Sequence, residues 1–154
     1  MSKIKQKLIE MGFELPTLPQ PVATYKSSIL SGQDLYISGQ IPTKSGKLIS
    51  QGLVSREVSV PESLECAKVC FLNMMAVAED SIGDLDKISQ IIRLEVFVAC
   101  PSDFFDHSKI ANGASDLAVK LFGHNGSHTR LAIGVSSLPM NAPVEISGIF
   151  KISA

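Results

Sequence analysis

Few residues in this chain have the type and spacing to do chemistry. Cys66 and Cys70 stand four apart, a step that can present two metal ligands on one helix face. No His or acid pair joins them at a metal-binding interval, and both fit an apolar stripe, so the spacing predicts core packing. His124 and His128 are also four apart, but Gly126 lies between them in a loop, and with His107 they form no zinc motif. No metal is expected. GHNG and NGAS lack the phosphate-loop and dinucleotide spacings, and no G-x-S-x-G elbow is present. Two charges remain, in the segment HTRLAIGVSSLPMNAPVEISGIF: Arg130 at the entry of one strand and Glu145 near the start of the next. Alternation sets Leu131, Ile133 and Val135 on one face, and Arg130, Ala132, Gly134 and Ser136 on the other. A face of small residues beside one Arg suits a groove or a subunit contact, whereas lone charges on amphipathic strands are usually solvated. Spacing alone leaves that choice open.

The elements that must position these residues follow from periodicity. Ser2 caps a short amphipathic helix with Ile4, Leu8, Ile9 and Met11 on one side, and Gly12 ends it. Pro16, Pro19 and Pro21 make the next segment irregular. ATYKSSIL (23–30) and DLYISGQI (34–41) read as a hairpin around Gly32, and Gly39 marks a bulge or a close backbone approach. TKSGK is a turn and LIS a short third strand. A long helix runs from Ser59 to Ile82, opened by a Ser59–Glu62 capping box with Pro61 in its first turn, and stopped by Gly83. KISQIIRLEVFVAC is a strand whose Ile92, Leu94, Val96 and Val98 share one face. A second helix spans Phe104 to Phe122, with Gly113 in ANGAS as an expected break and Ser115 or Asp116 starting a fresh turn. Two further strands, joined by a Pro-punctuated turn, complete an α+β pattern with helices on one face of a mixed sheet.

The 154 residues fit one domain, and their composition is that of an ordered globular chain. A net charge of -1 offers no global attraction for nucleic acid or anionic membrane, and no apolar run is long enough for a span. Three cysteines without a recognisable secretory signal point to reduced thiols and a cytoplasmic location.

ATYKSSILSGQDLYISGQIP, the long helix followed by GDLDKISQIIRLEVFV, DFFDH, and TRLAIGVSSLPMNAPVEI occur in an order and at separations that resemble the RidA family, also called YjgF or liver perchloric-acid-soluble proteins. With NGAS, FG and HTR the pattern resembles a longer, less characterised branch of it. The resemblance implies a single domain over 1–154, with an N-terminal helix and Pro-rich extension (1–21) before the core (22–154). It implies a chorismate-mutase-like subunit of the bacillus type, forming a homotrimer whose ligand clefts lie between subunits. It also implies a cofactor-free hydrolysis of reactive enamines and imines to 2-keto acids and ammonia. By position, Arg130 is the arginine that holds the substrate carboxylate, as a planar guanidinium fork can. Glu145 is the acid that handles water, and Tyr25 lines the cleft. Gly39 falls where the chain runs close to ligand, with Ala132 and His128 beside the arginine.

The chain departs from that pattern in three places. His128 stands for the proline near the arginine, Ala132 for the cysteine two residues after it, and Ser147 for a second acid after Glu145. An insertion near Ile110–Ser115 also leaves the family's asparagine contact unplaced. These changes keep a second reading in play, a non-catalytic trimer that binds or senses a small carboxylate. An endoribonuclease or translation inhibitor ranks last, since there is no basic stripe and no paired His for RNA cleavage.

Overall fold

The structure, a computed structural model, describes residues 1–19 and 24–154. Pro21, the boundary between 21 and 22, and the expected start of the first strand at Ala23 lie outside the described residues. In chain order the elements are α1 (Lys3–Glu10), β1 (Ser28–Ser31), β2 (Asp34–Gln40), β3 (Thr43–Lys44), β4 (Lys47–Leu48), α2 (Val60–Ile82), β5 (Ile88–Ala99), α3 (His107–Phe122), β6 (Thr129–Val135) and β7 (Val144–Ile152). The main sheet has the order β1-β2-β7-β5-β6, and only the β5–β6 pair is parallel. The expected first strand is shorter, beginning at Ser28, and LIS is replaced by a separate β3–β4 ribbon.

The helix α2 is the spine. Its Ser59–Glu62 capping box is fully formed, and Gly83 closes it in the left-handed conformation. Cys66, Ala67, Cys70, Phe71, Met74 and Ala78 are completely buried against the sheet. Both α2 cysteines are free thiols that burial pushes up, Cys66 to about 11 and Cys70 well above its ordinary value, so they pack as small apolar groups. The sheet's inner face supplies Leu35, Ile37, Ile91, Leu94, Val96, Val98, Ile146 and Phe150. The expected parity of β5 fails at its start. A register shift between Ile91 and Arg93 turns Ile91 inward, so Ile92 leaves the core row.

The strands β6 and β7 flank β5 on opposite sides. One expectation about the site region is corrected. Gly113 does not break α3, which begins at His107 and runs unbroken through ANGAS. Its role is spatial. A Cβ there would collide with Leu64 O of α2 and lie 3.1 Å from Ala67 Cβ, so the glycine lets the two helix backbones meet. The helix α1 docks nearby. Asp86 accepts from Lys3 N at 2.8 Å and Ile4 N at 2.9 Å, which holds its carboxyl below the usual range, and Leu8 is buried.

Substituting Gly113→Ala tests this contact. Alanine favours an isolated helix by about 1 kcal/mol over glycine, yet the obstruction is backbone and cannot swing away. The variant is expected to lose about 1–3 kcal/mol, read as a lower urea midpoint. A midpoint at or above that of the parent protein would show that α3 has room.

Candidate functional site

Arg130 rises from β6 opposite Leu94 of β5. Leu94 is fully buried beneath the helices, so Arg130 stands on the helix side of the sheet, at its edge. Two residues of α3, three apart and so on one face, receive its Nη1: Asn112 Oδ1 at 2.8 Å and Ser115 Oγ at 3.2 Å. Ser115 Oγ also lies 2.8 Å from His128 Nε2, and His128 Nδ1 is 2.6 Å from the Gly126 carbonyl. Among the described residues the partners of Arg130 are all neutral, and none cancels its charge. Arg93, by contrast, is tied to Glu95 at 2.9 Å.

Glu145 belongs to the other side. It pairs with Phe97, while its neighbours Val144 and Ile146 turn inward to the core. A bulge in β2 between Ile37 and Gln40 carries Gly39 up against the Glu145 side chain, where a Cβ would collide with Oε1 and lie 3.0 Å from Cδ. Glu145 is half-buried and makes no hydrogen bond or ion pair among the described residues, and burial pushes its carboxyl up. A half-buried carboxylate with a raised pKa is a stronger base than an exposed one. Ser147, two residues on, donates to Glu95 Oε2 at 3.3 Å, so an acid from β5 stands where the sequence shows only a serine.

The register thus separates the two leading residues within the chain. Arg130 and Glu145 sit on opposite faces of the sheet, three rungs of β5 apart. Tyr25 is 67% exposed just before β1. His128 has both ring nitrogens engaged within the chain. Ala132 packs against the core opposite Val96, and a Cβ on Gly134 would lie 2.6 Å from His107 Nε2 and 2.9 Å from Cys100 Sγ. The start of α3 thus lies beside the small face of β6, whose Ala132 is half-buried and whose Gly134 is exposed. The apolar face, which alternation suggested for the core, is on the outer sheet surface, with Ile133 38% exposed. A cleft of about 180 Å³ between the N-terminal segment, α2 and α3, and a shallower one between Lys3 and Asn125, include neither Arg130 nor Glu145.

Asn112 and Ser115 are the residues that sequence reasoning missed. Their i, i+3 spacing was visible, but it acquires meaning only once ANGAS is helical. Among the described residues no three His, Cys, Asp or Glu side chains cluster to hold a metal, and no helix is long and apolar enough to cross a membrane.

Comparison with known proteins bears on what this arrangement serves. A family model described as "YjgF/chorismate mutase-like, putative endoribonuclease" matches residues 5–150. Protein TCP17 of Trypanosoma cruzi is 33% identical over 98% of this chain and 95% of its own length. A 2-iminobutanoate/2-iminopropanoate deaminase of Dermatophagoides farinae is 29% identical over 89% of this chain and 92% of its own. Among solved structures, the protein Atu1372 of Agrobacterium tumefaciens, of unknown function, superposes with a TM-score of 0.91. It is 40% identical over 98% of this chain and 92% of that one, a span that takes in α1.

The environment of Glu145 predicts a pH effect on stability. Its folded carboxyl is raised, so the unfolded chain ionises first as pH rises, and the stability present in acid is lost as pH passes through the folded value. Glu145→Gln should therefore gain stability relative to the parent protein as pH rises above the ordinary carboxylate range, as compared by urea unfolding. A difference that stays constant or reverses with pH would contradict the raised value.

Proposed function

The chain belongs to the RidA/YjgF family of chorismate-mutase-like α+β proteins, and on that premise we propose that it is a cofactor-free deaminase of reactive imines and enamines, releasing 2-keto acids and ammonia. The observation that carries the reading is the guanidinium of Arg130, held by Asn112 and Ser115 yet left with its full charge. Such a group fits a 2-imino acid, whose carboxylate pairs with the fork while the protonated imine carbon stays open to attack. The imine deaminase among the relatives supports the same chemistry.

The steps are simple. Arg130 fixes the carboxylate and so orients the C=N bond. Glu145 accepts a proton as water adds to the imine carbon, giving a carbinolamine. The C–N bond then breaks, the carbonyl forms, and the proton leaves with ammonia. Since Arg130 and Glu145 stand on opposite faces of one subunit, the cleft is built from Arg130 of one copy and Glu145 of the next in a homotrimer. The exposed apolar outer face, with Ile29 56%, Tyr36 48% and Ile133 38% accessible, supports burial against other copies.

Two measurements test the reading. In a coupled assay with a pyridoxal enzyme that generates 2-iminobutanoate, Arg130→Ala should cut kcat/KM by about 100-fold. Equal keto-acid release would refute the role of Arg130, and tight carboxylate binding without any turnover would favour a sensor instead. Light scattering should give three times the 16.5 kDa chain mass. Refolding Arg130→Ala and Glu145→Ala chains together should restore about a quarter of parental activity, because mixed cyclic trimers each contain one intact junction. No recovery would place both residues in one subunit's site.

A further inference from the structure

We propose that His128 and Ser115 are positioning residues that turn Arg130 so that its Nε–Nη2 edge, and not its Nη1–Nη2 end, receives the substrate carboxylate. This rests on the reading of Arg130 as the carboxylate anchor and adds which part of the guanidinium does the work.

A guanidinium has five N–H groups, two of them on Nη1. Asn112 Oδ1 and Ser115 Oγ, at 2.8 and 3.2 Å, both accept from Nη1, which has one hydrogen for each. The Nε–H and the two Nη2–H groups have no partner among the described residues. A carboxylate gripped end-on needs a hydrogen from Nη1, so it would have to displace Asn112 or Ser115. Gripped side-on, it takes Nε–H and the parallel Nη2–H and displaces nothing.

The direction of the Ser115 hydroxyl decides whether this arrangement holds. The Gly126 carbonyl can only accept, so His128 Nδ1 at 2.6 Å carries the ring hydrogen. In the neutral ring Nε2 is then bare and takes the one hydrogen of Ser115 Oγ at 2.8 Å. Ser115 is left with lone pairs only, and these face Nη1 of Arg130. The order of donation is Arg130 to Ser115, Ser115 to His128, and His128 to a backbone carbonyl. A proline at 128, the residue expected from the family pattern, would offer Ser115 no acceptor. His128 makes the orientation of Arg130 directional, and it does so through Ser115 without touching substrate.

The experiment uses the full-length protein, with 2-oxobutanoate as a non-reacting carboxylate probe in calorimetry and 2-iminobutanoate for turnover. Ser115→Ala and His128→Leu should each raise the dissociation constant for the probe, and KM, about tenfold, with kcat changed far less. Ser115→Thr and His128→Gln, which keep the hydroxyl and an acceptor for it, should recover most of the loss. Nitrogen NMR of the unsubstituted protein should show His128 as the Nδ1–H tautomer. Equal impairment of His128→Leu and His128→Gln, or an Nε2–H tautomer, would overturn the proposal. Normal binding by Ser115→Ala and His128→Leu, with Arg130→Ala inactive, would overturn it and leave the anchor reading intact. Normal binding by Arg130→Ala would remove both.

Discussion

The distance at which α3 can lie from its neighbours controls the surroundings of Arg130. Asn112 and Ser115 flank the one glycine of α3, and that glycine is where the α3 backbone meets the carbonyl of Leu64 in α2. The rest of the buried face of α3 is small or slender, with Ala111, Ala114 and Ala118 between Ile110, Leu117 and Leu121. Helices packed through such residues approach closely and gain dispersion contacts along their length, which offsets the lower helix propensity of glycine. On the sheet side the same economy of volume appears in Ala132 and Gly134. A bulkier residue at Gly113 would lift α3 and draw two short side chains out of hydrogen-bond reach of the guanidinium. Neither amide nor hydroxyl can extend to follow it.

Local patterns carried a large part of the fold. The α2 capping box, its apolar stripe, the Gly83 stop and the β2 bulge at Gly39 all depend on residues within a few positions of one another. Long-range pairing was a different matter. HTRLAIGVSSLPMNAPVEISGIF contains two strands, but nothing local announces that β5, some thirty residues earlier by order of magnitude, enters between them. The register shift at Ile91 was equally hidden, since Ile91 and Ile92 are chemically interchangeable for a core row. At the site, residue types identified Arg130 and Glu145, yet their placement on opposite faces needed the pairing with Leu94 and Phe97. Asn112 and Ser115 were passed over for a physical reason. Propensity counts Gly113 against a helix, and a tertiary contact outweighs propensity.

Electrostatics sort the charges of the sheet into two groups. Arg93 and Glu95 neutralise one another two residues apart on one face of β5, and Ser147 completes that cluster. Arg130 and Glu145 are left unneutralised, by different means. Arg130 is surrounded by neutral acceptors, which fix its direction without lowering its charge. Glu145 is partly withdrawn from water, which raises its proton affinity, and it has no donor among the described residues. One is suited to hold an anion, the other to take up a proton, and neither state would survive if the two were paired directly. Their separation on opposite faces of the sheet prevents that pairing within the chain.

The choice of neutral partners for Arg130 also limits what could replace them. An aspartate at 112 would bind the guanidinium more strongly than Asn112 does, through a charge-assisted contact. It would also cancel the positive field that the guanidinium now presents. The network of Asn112, Ser115, His128 and the Gly126 carbonyl gives rigidity by another route, since each member has a single compatible donor or acceptor role. A neutral network of this kind holds only if every member is satisfied, because one misdirected hydroxyl hydrogen would set two donors against each other. The sequence HTR is thus not a proline site carrying an incidental histidine. The imidazole ends a chain of donors that begins at the guanidinium, and it leaves one edge of that guanidinium free.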